Sequence, residues 1–176
     1  MAKPREFEAR VLPHLHAAFN LARWLVRDAH VAEDLVQDAC LRAYRYFDSL
    51  RGDDARPWLL GIVRNNCFTW LEEQRMSPKQ VELDDVLIDS LPGPEEGAGM
   101  SPEATLDRKR TCQRVDAAIM ALAPPFREVV VLRELEDLSY AEIAQIASLP
   151  IGTVMSRLSR ARAELKMALV ELRRPD

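Results

Sequence analysis

The chain has 176 residues, of which 48% are hydrophobic and 30% are charged, a composition typical of soluble globular proteins. Its 28 acidic residues outnumber 24 basic ones and leave a formal net charge of −4. No apolar run is long enough to span a bilayer, and the charged N-terminus lacks the apolar core of a secretory signal. We therefore expect a cytoplasmic protein of one domain or two small ones, with few strands.

Residues 1–75 predict a helical domain with breaks near Asp28–His30 and at Asp48–Pro57. The helix predicted over Val31–Phe47 carries a row of charged side chains about one turn apart, namely Asp34, Asp38, Arg42 and Arg45. Such a row is most often a solvated helix face. A surface that docks a partner is the alternative.

The next predicted helix, Ala55 to Arg75, has one apolar and one polar side. The apolar stripe consists of Leu59, Ile62, Val63, Cys67, Trp70 and Leu71. The opposite side presents Arg64, Asn65, Phe68, Glu72 and, near its edge, Asn66. An aromatic ring beside amide and guanidinium groups suits single-stranded bases, which stack on rings and form hydrogen bonds along their edges. The alternative is that Phe68 is half-buried against a neighbouring helix, and the helix alone favours neither.

Residues 76–105 predict a flexible acidic linker. The segment holds four prolines, three glycines and seven acidic residues against one lysine, a local charge of −6. No helical stripe persists through it, although a short helical turn is expected around Val81–Leu87.

Helical periodicity returns at about Leu106 and includes a helix-turn-helix over Leu138–Leu165. Ser139 and Glu142 have the spacing of a capping box, and a proline in the turn fits the start of the second helix. Ser148 lies where such turns often place glycine in a left-handed conformation, which costs a serine about 1 kcal/mol.

The second helix of this motif is cationic. Between Pro150 and Arg174, six basic residues stand against two acidic ones, a local charge of +4. Its predicted buried face is formed by Val154, Leu158, Ala161 and Leu165, and its outward face by Met155, Ser156, Ser159, Arg160 and Arg162. A cationic helix in an acidic protein favours a recognition helix, which reads base edges and holds phosphates with flanking arginines. The alternative is an ordinary packing helix with a solvated face.

Neither a metal site nor an active site is predicted. Cys40, Cys67 and Cys112 are odd in number and form no C-x-x-C pair, so we expect buried reduced thiols. His14 and His16, two residues apart, point to different sides of a helix. No nucleophile–base constellation supports a third alternative, a small hydrolase. We expect no cofactor and no small-molecule substrate.

Three segments together resemble the bacterial sigma factors of the extracytoplasmic function group. They are AEDLVQDACLRAYRYFDSLRG, RPWLLGIVRNN and LAPPFREVVVLRELEDLSYAEIAQIASLPIGTVMSRLSRARAEL. They occur in the family's order, with a variable linker between them, and the likeness covers about four-fifths of the chain.

The resemblance implies an all-α fold of two small helical domains. A sigma-2-like bundle would comprise 1–75 and a sigma-4-like helix-turn-helix domain 106–176, joined by the acidic linker 76–105. It also implies a non-catalytic subunit that binds RNA polymerase core, through the clamp helices of the largest subunit and the flap, and directs initiation at promoter DNA. An anti-sigma factor is the expected inhibitory partner.

The same resemblance assigns residues to three tasks. Polymerase binding falls to Asp34, Gln37, Asp38 and Arg42. Recognition of the minus-ten element falls to Arg64, Asn65, Asn66 and Phe68, with help from the Asp48–Ala55 loop. Recognition of the minus-thirty-five element falls to Met155, Ser156, Ser159 and Arg160, with Arg157 and Arg162 near phosphates.

The chain departs from the family pattern at two positions of the recognition helix. Position 155 is often basic in the family and is Met155 here, and position 159 is sometimes aromatic and is Ser159. We expect base readout to rest on Arg160, Ser156 and apolar contact with thymine methyl groups. The alternative function is a stand-alone helix-turn-helix regulator, with 1–75 as a sensing or dimerising domain.

Overall fold

A computed structural model describes residues 3–77 and 102–171, with side chains from Leu106 onward in the second range. These residues form α-helices joined by short turns, and no strand occurs among them. The helices are α1 (Lys3–Val11), α2 (Leu15–Val26), α3 (Ala29–Arg45), α4 (Arg56–Met76), α5 (Pro102–Ala121), α6 (Pro124–Val130), α7 (Tyr140–Ala147) and α8 (Ile151–Glu171). We call α1–α4 the N-terminal module and α5–α8 the C-terminal module.

The all-α prediction is confirmed, and both predicted breaks in the N-terminal module are present. A further break was not foreseen: a 3-10 turn at Leu12–His14, with Pro13 in its first turn, separates α1 from α2. In the C-terminal module, α5 already begins at Pro102 rather than at Leu106. The predicted helical turn at Val81–Leu87 lies outside the described residues.

The central element of the structure is α2. Its buried side chains cover a little more than half of the helix circumference: Ala17, Ala18, Leu21, Ala22, Trp24, Leu25 and Val26. An apolar face this broad needs more than one neighbouring helix to cover it. Accordingly, α2 packs against α3 and α4 within its own module and against α6 of the other module.

Local signals set the ends of the helices in the N-terminal module. The Asp28 side chain caps α3 by accepting a hydrogen bond from the backbone N–H of Val31 at 3.0 Å. Pro57 lies in the first turn of α4, where a missing N–H costs nothing. Between α3 and α4, Gly52 adopts a φ of +83°, which glycine tolerates readily.

The C-terminal module contains the predicted helix-turn-helix, α7 and α8. Ser139 and Glu142 form both hydrogen bonds of the capping box at the start of α7. Ser148 ends α7 with φ 54° and ψ 47°, so the left-handed conformation predicted there is confirmed. A π-helical turn at Val131–Leu135 connects α6 to the loop before α7.

The two modules pack together over one continuous apolar core, which the sequence did not indicate. We call this contact the module interface: α2 lies against α6, and α4 lies against α7. A Cβ placed on Gly61 of α4 would lie 3.8 Å from the carbonyl oxygen of Ile146 in α7. This is an ordinary van der Waals distance, so a methyl group at position 61 would fit against α7.

The left-handed turn predicts the effect of Ser148→Gly. Removing the Cβ relieves backbone strain, so the free energy of unfolding should rise by about 1 kcal/mol. Urea denaturation followed by circular dichroism measures the change. Gln145→Gly, at an exposed position inside α7, is the matched control and should lower the same quantity by about 1 kcal/mol. If both substitutions lower the free energy of unfolding, the backbone of Ser148 is not strained.

Candidate nucleic-acid interface

The second helix of the motif, α8, has the predicted division into two faces. Val154, Leu158 and Ala161 are buried and fix the helix against the rest of the module. Met155, Ser156, Ser159, Arg160 and Arg162 are exposed, and Arg157 is half-buried. Met155 exposes 52% of its surface, so its thioether forms part of the outer face rather than of the core.

Each arginine of the outer face of α8 has an acidic or aromatic neighbour. Arg160 lies over the ring of Phe126, 5.0 Å from its centre, and pairs with Glu164 at 3.4 Å. Arg162 donates two hydrogen bonds to Glu134, at 2.7 and 3.1 Å. These contacts are largely exposed and hold the guanidinium groups near the outer face. Because water screens them, breaking them costs little free energy.

On α4, the candidate side chains Arg64 and Phe68 form one unit. The Arg64 guanidinium lies 4.1 Å from the centre of the Phe68 ring. Its Nε donates to Oε1 of Glu128 in α6 at 2.6 Å. Asn65 is exposed beside them, and together the three α4 side chains border an open hollow of about 490 Å³. Phe68 is half-buried and packs against the apolar core, in line with the alternative interpretation of this residue.

Asn66 lies apart from Arg64, Asn65 and Phe68. Its Nδ2 donates to the backbone carbonyl of Leu35 in α3 at 3.2 Å, so the amide is held on the opposite side of α4. It borders a groove of about 840 Å³ between α3 and α4. The loop before α4 is exposed from Arg51 to Asp54.

The exposed face of α3 carries all four candidate polymerase-binding residues, Asp34, Gln37, Asp38 and Arg42. Asp38 and Arg42 also line the groove between α3 and α4. Two large side chains on the same groove were not predicted. Leu41 is 63% exposed and Tyr46 is 62% exposed, so the charged row has apolar neighbours that could contribute binding energy.

Comparisons with known proteins match both modules. The family model for sigma-70 region 2 matches residues 11–77, and the model for sigma-70 region 4 matches 112–165. The RNA polymerase sigma-H factor of Pseudomonas aeruginosa is 33% identical over 97% of this chain and 89% of its own length. The ECF RNA polymerase sigma-E factor of Escherichia coli is 34% identical over 90% of this chain and 83% of its own.

The chain belongs to the extracytoplasmic function sigma factors.

Solved structures agree with this assignment. The sigma factor RpoE of Bartonella quintana, in complex with the anti-sigma factor NepR, is 29% identical, with a TM-score of 0.70 over 97% of this chain and 99% of that one. CnrH, in complex with the cytosolic domain of CnrY, shares the fold at 24% identity and a TM-score of 0.65, over 97% of this chain and 91% of that one.

As a sigma factor, the chain is a promoter-specificity subunit of RNA polymerase, and the stand-alone regulator is disfavoured. The proteins it resembles are sigma factors, which are not enzymes. None of the helices in the described residues is long and apolar enough to cross a membrane. Within the same residues, no three His, Cys, Asp or Glu side chains are grouped so that they could hold a metal ion.

Two buried charged residues of this sigma factor were not predicted from the sequence. Arg127 is 3% exposed and Glu128 is fully buried, both at the module interface. Arg127 donates to the backbone carbonyls of Trp24, Leu25 and Leu122 at 2.7–3.1 Å. The sequence does contain a signal of their burial, because two adjacent charged residues interrupt the apolar stretch that runs from Phe126 to Leu132.

Burial shapes the ionisation of this pair. Loss of hydration lowers the pKa of Arg127 to about 10, and the nearby positive charge of Arg27 adds to that decrease. Arg127 therefore stays protonated at neutral pH. Burial raises the pKa of Glu128, while its hydrogen bond and charge interaction with Arg64 oppose the increase.

The expectation for the cysteines is correct for one residue of three. Cys67 is buried, Cys40 is half-buried and Cys112 is exposed. Burial raises the pKa of Cys67 to about 12 and also raises the pKa of Cys40. Since Cys112 lies on α5, away from the apolar core, only its thiol is freely accessible.

These differences predict graded thiol labelling. Because the thiolate is the reactive form, Cys112 should react first with a disulfide reagent, and Cys67 only when the chain unfolds. The absorbance of the thiol released from the reagent, measured in native buffer and in denaturant, gives the number of cysteines that react in each. Cys112→Ser should remove the fast phase, and a fast phase that persists in this variant would contradict the assignment.

Proposed function

We propose that this sigma factor reads the two promoter elements with α4 and α8 and binds RNA polymerase core through α3. The observation that carries the proposal is the order of the two matched regions along the chain, combined with the exposure of the candidate side chains on each. The chain would act as a non-catalytic subunit, in the cytoplasm, where RNA polymerase and promoter DNA are found.

The proposed reader of the minus-thirty-five element is the outer face of α8. Ser156 and Ser159 occupy its centre, and Met155 and Arg160 lie on either side of them. The Arg160 guanidinium can donate two parallel hydrogen bonds to a guanine edge, and Met155 can contact a thymine methyl group. Arg157 and Arg162, at the margins, suit phosphates.

The proposed reader of the minus-ten element is the face of α4 that carries Arg64, Asn65 and Phe68. A ring with an adjacent amide and guanidinium can stack on and hydrogen-bond to an unpaired base. This contact offsets the few kcal/mol that extruding a base from the duplex costs. Asn66, on the other side of α4, is proposed to act by holding α3 through Leu35 rather than by touching the base.

The proposed contact with the polymerase clamp helices is the row Asp34, Gln37, Asp38 and Arg42, extended by the exposed Leu41. For the flap, we propose the mainly apolar groove of about 640 Å³ between α5 and α8, which Val115, Leu169 and Val170 help to line. An apolar groove with basic residues at its margin fits an amphipathic helix.

Regulation by an anti-sigma factor is proposed from the likeness to RpoE, whose structure was determined with one bound. Transcription with purified core polymerase tests the proposal as a whole. The chain should confer RNA synthesis from a selected promoter on core enzyme that lacks its own specificity subunit. If the chain instead binds its DNA site tightly in the absence of core, with an affinity that falls strongly as salt rises, the stand-alone regulator is correct.

Arg160→Ala tests the recognition helix. Loss of a guanidinium from a base edge should reduce promoter-dependent transcription about tenfold to a hundredfold, equivalent to about 1–3 kcal/mol. Affinity for core, measured by competition, should not change. Arg75→Ala removes an arginine from a similar exposed pair and should leave both quantities unchanged. Equal loss of core binding and transcription would refute the assignment of Arg160.

Asp38→Arg tests the docking face of α3. Reversing this charge should weaken binding to core at least tenfold, because the new arginine would repel the polymerase group that Asp38 pairs with and leave that group unpaired. Isothermal titration, or co-purification with core, provides the measurement, and thermal unfolding should stay unchanged because Asp38 is exposed. Glu8→Arg, on exposed α1, makes the same charge change elsewhere. Unaltered affinity in Asp38→Arg would exclude this face.

A further inference from the structure

Two arginines on the outer face of α8 are held in different ways. Arg162 donates from Nε and Nη2 to one carboxylate oxygen of Glu134, at 3.1 and 2.7 Å. Arg160 has a longer ionic contact, from Nε to Glu164 at 3.4 Å. Among the described residues, no acceptor lies within hydrogen-bond distance of Nη1 or Nη2 of Arg160. Arg160 therefore keeps both terminal nitrogens for another molecule, whereas Arg162 has already engaged two of its three nitrogens.

An aromatic ring from α6 holds the guanidinium of Arg160. The central guanidinium carbon lies over the ring of Phe126, 5.0 Å from its centre. A cation in this position is attracted by the negative charge on the face of the ring. The contact needs no carboxylate or carbonyl acceptor, so it places the guanidinium without using its N–H donors.

Phe126 is itself fixed by the fold. It lies in the first turn of α6, directly after Pro124 and Pro125, whose rings restrict the backbone. Its backbone N–H donates to the carbonyl of Ala123 at 2.9 Å. The ring is half-buried and packs against the apolar core, and α6 packs along α8. The ring is thus a rigid surface at the side of the outer face where Arg160 lies.

Such a surface matters because an exposed arginine is otherwise mobile. The Arg160 side chain is 71% exposed, so solvent surrounds most of it. Ordering a long side chain when it binds costs conformational entropy, and a side chain that is already held loses less of it. A guanine edge offers two acceptors that only a correctly oriented pair of donors can reach together. An arginine held before binding should therefore distinguish guanine from other bases more sharply.

We propose that Phe126 is a positioning residue for promoter recognition. Its ring holds the Arg160 guanidinium at the outer face of α8 with both terminal nitrogens available, which strengthens the preference for guanine at the one base pair that Arg160 reads. Phe126 acts through Arg160 rather than through a base contact of its own. The inference rests on the proposed function, since it needs Arg160 to contact a base edge.

A promoter library with a randomised minus-thirty-five element tests this role. Core polymerase combined with the full chain transcribes the library, and the ratio of transcript to template gives the preference for each base at each position. The unaltered chain should prefer guanine at one position, and Arg160→Ala should abolish that preference. Phe126→Leu keeps an apolar side chain against the core but removes the ring. It should reduce the same preference about twofold to fivefold, as loss of an exposed cation–π contact predicts, and leave the other positions unchanged.

Three further variants separate positioning from general packing. Phe126→Tyr keeps an aromatic ring and should retain the guanine preference. Phe19→Leu removes another half-buried ring that packs against the core, in α2, and should leave the preference at every position unchanged. In a chain that already carries Arg160→Ala, Phe126→Leu should have no further effect on base preference, because the ring acts through the guanidinium. If Phe126→Leu is unstable in thermal unfolding, Phe126→Met, whose side chain is longer, takes its place.

The pattern of losses decides the role of the ring. An equal reduction at all positions of the element would mean that Phe126 only supports the fold of its module. An unchanged guanine preference would mean that the ring is not needed to hold Arg160. A further loss of base preference in the Arg160→Ala background would mean that Phe126 acts by another route. Each of these results overturns the proposal.

The same experiment distinguishes failure of this inference from failure of the function on which it rests. If the unaltered chain gives no promoter-selective RNA synthesis, the proposed function is wrong, and the role of Phe126 falls with it. If synthesis is selective but Arg160→Ala leaves every base preference intact, the assignment of Arg160 is wrong and the role of Phe126 is lost as well. If Arg160→Ala abolishes the guanine preference and Phe126→Leu preserves it, only the positioning role is refuted.

Discussion

The packing of α2 and α4 against α6 and α7 is the constraint on which the rest of this structure depends. The buried face of α2 spans a little more than half of its circumference, and α3 and α4 of its own module and α6 of the other module cover it together. Burying that surface brings polar groups into a region without water, where each needs a partner. Glu128 binds Arg64, and Arg127 donates from its two terminal nitrogens to helix-end carbonyls. Among the described residues, the buried Nε of Arg127 and Nε1 of Trp24 have no hydrogen-bond partner.

In this sigma factor, the Arg64 guanidinium lies over an aromatic ring and binds a buried carboxylate. The planar fork of Arg64 matches a carboxylate as well as it matches a phosphate or a base edge. For that reason, the side chains most suited to nucleic acid on α4 are also the ones most easily satisfied from within the chain. On α8, by contrast, Arg160 and Arg162 have exposed partners, so water and salt already compete with those contacts.

The local signals in the sequence were reliable because the physical interactions behind them are local. A capping box spans four residues, and a left-handed turn depends on one backbone conformation, so Ser139, Glu142 and Ser148 could be placed without knowledge of the fold. The 3.6-residue period likewise identified the buried face of α8. The same reasoning overlooked the break at Pro13, where apolar spacing continued through a 3-10 turn.

The sequence by itself determined the helical class, the ends of most helices, the cationic face of α8 and the family, since each depends on residues within a few turns of one another. Only the tertiary structure decided that Asn66 turns towards Leu35, that Leu41 and Tyr46 border the α3 groove, and that the two modules share a core. It also decided that Glu128 meets Arg64, across 64 positions of sequence. No periodicity encodes such a pairing, because it arises from the way separate helices must pack to exclude water.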